Sequence, residues 1–595
     1  MSSFERLSVT QIAAQVAAGS RSAVDVALQA LQRVAAYEAV QPAVWIERVD
    51  EAQVLAAARE VDRRVSAGEV LTLAGVPFAV KDNIDVAGLP TTAGCPAYKY
   101  APADTAVVVQ RLLVAGAVLI GKTNLDQFAT GLVGARSPYG ACASVYNRDY
   151  ISGGSSSGSA VAVAAGLVGF SLGTDTAGSG RVPAAFNHLV GLKPTKGRWS
   201  TQGLVPACRT LDCITAFAVS AADAALIDRV VAGFDVADPF SRREPGGLSQ
   251  TAPASFTFGL PPKGQLEWFG DTESARLFEA AATRLRAMGG RAIEVDIGPL
   301  RAAADLLYQG PWVSERTAAV EDLLRTKPGA IHPVVRGILL SGLGISAVDA
   351  FKADYQLRGY QRAAEALWDA VDILLLPTAA TTYRLREVLA EPLTLNSNLG
   401  LYTNFVNLLD MSAIALPAGF RNNATGFGVT LIGPAWADRR LLQLARRYEE
   451  IAPMPETPPL DLAGVETRVK LAVVGAHLAA MPLHWQLISR DARLVRRCKT
   501  APAYRLYAMA NTVPPKPALV HVGDGGAAIE VEVYDLDHAA FGSFVAEVPA
   551  PLAIGTVSLD DGTEVKGFVA EPRALTGAED ITALGGWRAY INRPA

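Results

Sequence analysis

Two serine- and glycine-rich segments carry the residue types that nucleophilic catalysis needs. Residues 153–159 read GGSSSGS, and residues 173–181 read GTDTAGSGR. They flank one predicted helix–strand unit, so a return of the chain would bring the two loops together. Ser179 would stand in a glycine-flanked turn after a buried strand, where its hydroxyl can attack a carbonyl. The backbone amides that could stabilise the resulting oxyanion are those of Thr176, Ala177 and Gly178.

The same two segments are compatible with other interpretations. Glycine- and serine-rich loops are often plain turns, and their amides can also cradle a phosphate before a helix. The Walker spacing GxxxxGK(S/T) is absent from both segments, which disfavours nucleotide binding there.

A serine nucleophile needs a general base, and the chain offers a histidine or a lysine. His188, nine residues after Ser179, is the only histidine in the first three hundred residues, so a Ser-His-Asp triad is poorly supported. Lys81 directly follows the apolar run 76–80. A lysine at the buried end of a strand loses hydration, which lowers its pKa and lets the neutral amine accept a proton. The alternative is a surface lysine whose stem packs on apolar neighbours.

Composition excludes several classes of protein. Of 595 residues, 54 are Lys or Arg and 58 are Asp or Glu, so the net charge of −4 argues against a nucleic-acid-binding protein and a polybasic membrane clamp. A hydrophobic content of 50% excludes global disorder. The five cysteines are dispersed, which predicts no disulfide framework, no metal site and a reducing compartment. Without a signal-peptide pattern or a membrane-length apolar stretch, we expect a cytoplasmic protein.

Apolar runs and helical patterns alternate from residue 76 onward, which predicts an α/β domain over residues 1–448. Within it, residues 242–263 are expected to form a long surface loop, and residues 300–325 one helical stretch. Residues 449–465 are proline-rich and predict an extended linker. Short strand-like runs follow, so residues 466–595 are expected to form a separate small α+β domain.

Four motifs together resemble the amidase signature family over about residues 25–440. They read VKDNID, GKTNLDQFATG, GGSSSGSA and GTDTAGSGRVPAAFNHLVGLKPT. The resemblance implies an α/β/α sandwich with a mixed central sheet and a Ser–cisSer–Lys triad. In this chain, Ser179 would be the nucleophile, Ser155 the bridging serine after a cis peptide bond, and Lys81 the base. The oxyanion hole would consist of the amides of Thr176, Ala177, Gly178 and Ser179.

Two departures from the usual family sequence are similar to its allophanate hydrolase branch. They are residues 177–181, which read AGSGR, and Gln127, where the family more often has Glu. The branch acts on allophanate, a urea that bears a carboxylate, and a guanidinium suits a planar carboxylate. By that resemblance Tyr308, Arg316 and Gly131 bind the substrate. Without it, Arg316 would be taken as a solvated helix residue.

The C-terminal region resembles the second domain of allophanate hydrolases and, more distantly, the γ-glutamylcyclotransferase fold. In that branch the domain assists loss of CO2 from N-carboxycarbamate, and its catalytic histidine corresponds to His477. A histidine suits such acid–base work, although a single one is more often structural. His484 competes for the role. Arg497, Tyr504 and Lys516 could each bind the carboxylate product, and the sequence does not distinguish among them.

The resemblance therefore implies a cofactor-independent enzyme of urea or cyanurate nitrogen catabolism. It would convert allophanate into ammonia and N-carboxycarbamate and then promote decarboxylation, downstream of a urea carboxylase or a biuret hydrolase. A homodimer is expected from the branch and from the apolar helical stretch 300–370. Three alternatives stay open: an amidase for another small amide or the glutaminase component of an amidotransferase, a C-terminal module without chemistry, and a non-catalytic scaffold.

Overall fold

The computed structural model describes residues 6–248, 251–451, 456–462 and 468–593. The chain divides into two compact units, Met1–Ala463 and Gly464–Ala595. Part of the predicted linker, residues 452–455 and 463–465, lies outside the described residues. Residues 456–462 have no regular secondary structure.

The first unit is built on an eleven-stranded mixed sheet with the strand order β1-β3-β2-β4-β6-β5-β10-β11-β9-β7-β8. The strands are β1 Trp45–Arg48, β2 Pro77–Lys81, β3 Val118–Thr123, β4 Phe170–Asp175, β5 Val190–Lys193, β6 Cys213–Ala218, β7 Phe256–Leu260, β8 Gly290–Glu294, β9 Ile373–Pro377, β10 Ser412–Phe420 and β11 Gly426–Gly433. Every residue of β2, β3, β4 and β9 is buried, as expected for strands covered on both faces. The prediction of an α/β fold with a mixed central sheet is confirmed.

Helices accompany this sheet along the whole first unit. They are α1 Val9–Ala17, α2 Ala23–Glu38, α3 Glu51–Ser66, α4 Val107–Val114, α5 Ser157–Ala164, α6 Val182–Phe186, α7 Ala221–Val231, α8 Thr272–Ala287, α9 Gly298–Gln309, α10 Trp312–Ala318, α11 Glu321–Thr326, α12 Pro333–Ser341, α13 Ala347–Ala370, α14 Leu385–Ala390, α15 Thr394–Leu399, α16 Phe405–Leu408 and α17 Asp438–Glu450. Helix α5 is buried at every residue and consists of small side chains, which let its backbone approach its neighbours closely. At Gly158, for example, an added Cβ would lie 2.7 Å from the backbone nitrogen of Asn124.

The parallel pairing of β2 with β4 fixes where the predicted catalytic residues meet. Val80 lies opposite Leu172, so the carboxyl ends of both strands reach the same edge of the sheet. That edge carries Lys81 from β2 and the loop after Asp175 from β4. Helix α5, which begins just after Ser155, leads into β4.

One expectation about secondary structure was wrong. Residues 242–263 are not one loop, because β7 lies within them and pairs with β8 and β9; residues 249–250 of that segment lie outside the described residues. The helical stretch 300–325 is divided among α9, α10 and α11. Its first break falls at Gly310-Pro311, where proline cannot continue the α9 hydrogen-bond ladder.

The second unit contains a five-stranded sheet of order β13-β16-β12-β18-β17 and a three-stranded sheet of order β15-β14-β19. Its strands are β12 Arg468–Val473, β13 Arg493–Lys499, β14 Tyr504–Ala508, β15 Pro517–His521, β16 Glu530–Asp537, β17 Leu552–Ser558, β18 Glu564–Ala570 and β19 Glu579–Asp580. Its helices are α18 Trp485–Ile488, α19 His538–Ala546 and α20 Trp587–Ile591. Both sheets contribute to one apolar core, which includes Leu471, Leu506 and Val533.

Among the described helices, none is by itself both long and apolar enough to cross a membrane. The bent pair Pro333–Gly344 and Ala347–Ala370 passes that test by length and composition only.

Candidate active site

Lys81 is a wholly buried lysine without a described carboxylate in ion-pairing contact. Its Nζ lies 2.8 Å from Ser155 Oγ and 2.7 Å from Thr174 Oγ1. Burial lowers the pKa of Lys81 to about 7, although more distant carboxylates such as Asp126 raise it. Near neutral pH a large fraction of Lys81 is therefore a free amine in contact with a serine hydroxyl, and a free amine can accept a proton.

A second buried lysine at the same edge has a different environment. Lys122, in β3, pairs with Asp82 at 2.9 Å, and both side chains are fully buried. Residues 116–123 around it read GAVLIGKT and so match the Walker pattern, outside the two serine-rich segments. Val118–Thr123 is a strand rather than a phosphate-binding loop, and Lys122 is already paired. The match therefore does not indicate nucleotide binding, and Lys122 forms a structural ion pair.

The loop that carries Ser155 is held by backbone hydrogen bonds to the segment 126–134, which the Asp126 carboxylate in turn stabilises. The peptide bond between Gly154 and Ser155 is cis, as the resemblance implies. The Gly154 amide donates to the Leu132 carbonyl at 2.9 Å, and the Ser155 carbonyl accepts from the Asp126 amide at 3.1 Å. Asp126 Oδ2 in turn accepts from the Gly134 amide at 3.0 Å. These bonds fix the Ser155 hydroxyl beside Lys81.

The loop that carries Ser179 is shaped by a buried ion pair. Arg181 binds both oxygens of Asp175, at 2.9 and 3.0 Å, and neither side chain is exposed. The same carboxylate accepts from the amides of Gly178 and Gly180, at 2.9 and 3.1 Å. Asp175 thereby folds residues 175–181 into a tight turn at the end of β4.

This turn leaves a defined set of backbone donors. In the described part of the chain, the amides of Thr176, Ala177 and Ser179 have no hydrogen-bond partner. The Gly178 amide, which the sequence analysis placed in the oxyanion hole, is instead engaged by Asp175. The turn thus has three backbone amides without a described partner, rather than four, that are available to stabilise an oxyanion.

The Ser179 hydroxyl donates to the Gly131 carbonyl at 3.4 Å. No described hydrogen bond joins it to Ser155, but Gly131, which binds Ser179, and Gly154, which precedes Ser155, both lie against the Asp126 side chain. An added Cβ on Gly131 would lie 2.6 Å from Asp126 Oδ2, and an added Cβ on Gly154 would collide with the same oxygen. Both glycines are therefore needed for the segment at residue 131 and the Ser155 loop to approach the Asp126 carboxylate closely.

The residues that the resemblance assigned to substrate binding are connected by a chain of contacts. Arg316, on α10, is 2% exposed, and its guanidinium carbon lies 5.3 Å from the centre of the Tyr308 ring on α9. Its Nη1 donates to Thr130 Oγ1 at 3.3 Å. Thr130 precedes Gly131, whose carbonyl accepts from Ser179, so residues 130 and 131 connect Arg316 to the nucleophile.

Three residues of this site were not singled out from the sequence. Thr174 and Asp175 lie within the second serine-rich segment, so their position could have suggested a supporting role. Arg136 is 2% exposed and donates to the Thr130 carbonyl at 3.1 Å. The only available signal for Arg136 was a charged residue inside the segment ATGLVGARSPYG.

A second candidate site lies in the C-terminal unit around His477, which follows β12. Its Nε2 lies 2.8 Å from Gln486 Oε1, and its ring stacks on Phe568 with 5.1 Å between ring centres. Burial lowers the pKa of His477, so the neutral imidazole is favoured. His477 lines a cavity of about 220 Å3 together with Gln486, Lys516 and Phe568.

The structure shows which of the alternative residues in the C-terminal unit line the cavity with His477. His484 Nε2 contacts the Tyr534 hydroxyl at 2.9 Å and is not among the residues that line the cavity. Arg497 pairs with Glu532, and the Tyr504 hydroxyl accepts from the Ser558 amide. Lys516 is the one of the three carboxylate-binding candidates that lines the cavity with His477. Among the described residues, no cluster of three or more His, Cys, Asp or Glu side chains could hold a metal ion.

Comparisons with known proteins agree in both units. A family model described as Amidase matches residues 28–442, and one described as Allophanate hydrolase C-terminal domain matches residues 469–592. The urea amidolyase of Lachancea kluyveri is 44% identical over 573 residues, which are 92% of this chain and 31% of that protein. The chain thus spans about a third of the length of the curated urea amidolyases that it matches.

Two further similarities cover nearly all of the matched protein. The solved structure of selenomethionine-substituted Kluyveromyces lactis allophanate hydrolase has a TM-score of 0.67 and 41% identity, and the match covers 95% of this chain and 98% of that one. A glutamyl-tRNA(Gln) amidotransferase protein of a Cyanothece strain is 34% identical over 487 residues, which are 76% of this chain and 99% of that protein.

Proposed function

The chain belongs to the amidase family, and on that premise we propose that it is an allophanate hydrolase. The substrate assignment is supported by the C-terminal domain model and by the 41% identity with the Kluyveromyces lactis enzyme over 95% of this chain. The amidotransferase protein is less similar, at 34% identity over 76% of the chain. The reaction consumes water and allophanate and yields ammonia and N-carboxycarbamate.

In the proposed mechanism, Lys81 is the base and Ser179 the nucleophile. The neutral Lys81 amine accepts the Ser155 proton while Ser155 accepts the proton of Ser179, whose oxygen forms a bond to the terminal carbamoyl carbon. For this relay the Ser179 hydroxyl turns from the Gly131 carbonyl toward Ser155. The oxyanion is stabilised by the three unpartnered amides of residues 176, 177 and 179.

Collapse of the tetrahedral species breaks the C–N bond, and the proton held by Lys81 returns through Ser155 to the leaving ammonia. Water then attacks the acyl-enzyme with the same relay as base, and this step frees Ser179 and forms the second carboxylate of the product. Arg316 and Tyr308 would hold the carboxylate of the substrate throughout, since the guanidinium is buried and carries no described counter-ion.

The observation that carries this proposal is the 2.8 Å contact between a fully buried, unpaired Lys81 and Ser155. Purified protein should release ammonia from allophanate much faster than from acetamide or glutamine, and Ser179→Ala should abolish that release. Preference for a simple amide would support the small-amide alternative, and preference for glutamine the glutaminase alternative. No ammonia from any of the three substrates would leave only the scaffold interpretation.

For the C-terminal unit we propose assistance of N-carboxycarbamate decarboxylation, with His477 as proton donor or acceptor and Lys516 as carboxylate partner. The cavity that both residues line favours this over a module without chemistry. His477→Ala should slow CO2 release while ammonia release continues at the wild-type rate. His484→Ala, which changes a histidine outside the cavity lining, is the matched control. Unchanged CO2 release in His477→Ala would support the non-catalytic module.

We further propose a cytoplasmic homodimer that receives allophanate from a urea carboxylase or a biuret hydrolase. The supply proposal rests on the similarity to urea amidolyases, and the dimer on the exposed apolar side chains of α12 and α13, among them Leu340 and Phe351. Light scattering at micromolar concentration should give twice the chain mass, and a monomer would contradict the dimer.

A further inference from the structure

Two buried arginines beside the nucleophile have no carboxylate partner in the described part of the chain. Arg136 and Arg316 are each 2% exposed. Three other buried arginines of the first unit each pair with a carboxylate: Arg181 with Asp175, Arg198 with Asp228 and Arg421 with Asp271. An unpaired buried cation is costly, and such a cost is usually offset by an ion that binds to it.

Within the described ranges, Arg136 and Arg316 donate hydrogen bonds to neutral acceptors only. Arg136 Nη1 and Nη2 donate to the carbonyls of Thr130 and Pro392, at 3.1 and 2.5 Å. Arg316 Nη1 donates to the Thr130 hydroxyl. The Nε of each arginine is buried and has no hydrogen-bond partner among the described residues. Several N–H groups of both guanidiniums therefore have no hydrogen-bond partner among the residues that the structure describes.

Both guanidiniums converge on Thr130, the residue next to the Ser179 partner Gly131. Burial lowers the pKa of Arg136, and the charge of Arg316 lowers it further, so the two cations act on each other. The Asp126 carboxylate raises the pKa of Arg136 and is bound by two backbone amides, those of Gly134 and of Arg136 itself, at 3.0 and 2.8 Å. The Asp212 carboxylate raises the pKa of Arg316 and accepts from the Thr176 hydroxyl. On the other side, Glu315 binds Thr210. The guanidinium N–H groups that have no described partner therefore suit an anion that enters with the substrate.

We propose that Arg136 is a specificity-determining positioning residue, which adds its charge to that of Arg316 and thereby selects anionic substrates. This inference rests on the proposed function and extends it. Allophanate carries one carboxylate, whereas hydrolysis of the acyl-enzyme leaves a product with two. A pair of cations fits that increase, whereas a single arginine would leave the second carboxylate uncompensated. Through its bonds to the carbonyls of Thr130 and Pro392, Arg136 also fixes the segment that orients Arg316 and Gly131.

The test compares three analogues that differ in charge and little in shape: malonate, malonamate and malonamide. Inhibition constants are measured for wild type, Arg136→Gln and Arg136→Lys. In Arg136→Gln, we expect malonate to bind about tenfold to a hundredfold more weakly, malonamate less so, and malonamide within about twofold of wild type. Arg136→Lys keeps the charge and should recover part of the malonate affinity. For turnover, Arg136→Gln should change KM more than kcat.

Arg421→Gln is the matched control, because Arg421 is also buried but pairs with Asp271. It should lower the melting temperature without altering the order of affinity among the three analogues. Equal weakening of all three analogues in Arg136→Gln, or no weakening, would overturn the inference. If Arg136→Gln does not fold, Arg136→Lys decides alone, because an equal loss for charged and neutral analogues would show a purely structural role. Failure of wild type to hydrolyse allophanate would instead overturn the proposed function.

Discussion

Acidification should inactivate the amidase site through a single side chain, Lys81. The pKa of lysine falls from 10.5 to about 7 in this buried position, and burial is the main cause. The difference corresponds to about 5 kcal/mol of extra cost for the ammonium form. At pH 7 about half of the molecules would carry the free amine, whereas in water only about 0.03% of lysine is neutral. At pH 7 the fraction of lysine in the neutral, basic form is thus roughly three orders of magnitude larger in this site than in water.

The measurement is kcat/KM for ammonia release between pH 5.5 and 9 at constant ionic strength. Below pH 7 the rate should fall about tenfold for each pH unit, and above pH 8 it should be constant. Asp212 is the competing titrating group, because burial raises the pKa of its carboxyl to about 6 and it binds Thr176. The acidic limb should persist in Asp212→Asn. If it disappears there, or if wild-type activity is flat down to pH 5.5, the reasoning about Lys81 is refuted.

The same lysine should make folding stability depend on pH. In the unfolded chain Lys81 holds its proton up to pH 10.5, but in the folded chain only up to about 7. Between these values the unfolded state binds more protons, so the contribution of Lys81 to stability rises with pH and is least favourable below pH 7. Lys81→Met should therefore raise the free energy of unfolding at pH 7 by a few kcal/mol and flatten its slope between pH 7 and 10 in urea titrations. A less stable Lys81→Met would contradict this.

Three further predictions concern other parts of the molecule. Arg181→Met leaves Asp175 as a buried unpaired charge and should lower the free energy of unfolding by about 3–5 kcal/mol in urea titrations, and a loss below about 1 kcal/mol would refute this. Gly178→Ala adds a Cβ that collides with Thr403 at a φ of +127°. We therefore expect kcat to fall about a hundredfold with an unchanged circular dichroism spectrum. A kcat equal to that of wild type would show that the turn tolerates a side chain. Lys516→Met should slow CO2 release at an unchanged rate of ammonia release, and equal rates of both would exclude Lys516 from the proposed decarboxylation.

Local sequence signals were sufficient for the positions of the strands that carry the site. The apolar run before Lys81 forms β2, and the run before Thr174 leads into β4, as the alternating pattern predicts. Their adjacency in the sheet depends on long-range pairing, which no local pattern encodes. The resemblance to a family supplied that information, because it brought Lys81, Ser155 and Ser179 to one place before any geometry was known.

The sequence could not predict which hydrogen-bonding groups are already occupied by other side chains or by the main chain. The Gly178 amide was expected in the oxyanion hole, but whether an amide is free depends on where the Asp175 carboxylate lies. Arg136 was overlooked because its acceptors are main-chain carbonyls, at Thr130 and at the distant Pro392, and carbonyls have no sequence signature. Strand β7 was missed because the glycines and prolines around it outweighed five residues of strand pattern.

Helix α5 constrains how this protein could change its preference among substrates over evolution or in the laboratory. Every residue of α5 is enclosed, and at Gly158 even one added carbon would meet the backbone of Asn124. Larger side chains there would displace Ser155 and disable the reaction for all substrates alike. Arg316 and Tyr308, by contrast, come from α9 and α10, outside the sheet. Variants with a new substrate preference should therefore be sought in those two helices, where diversity does not endanger the proton relay.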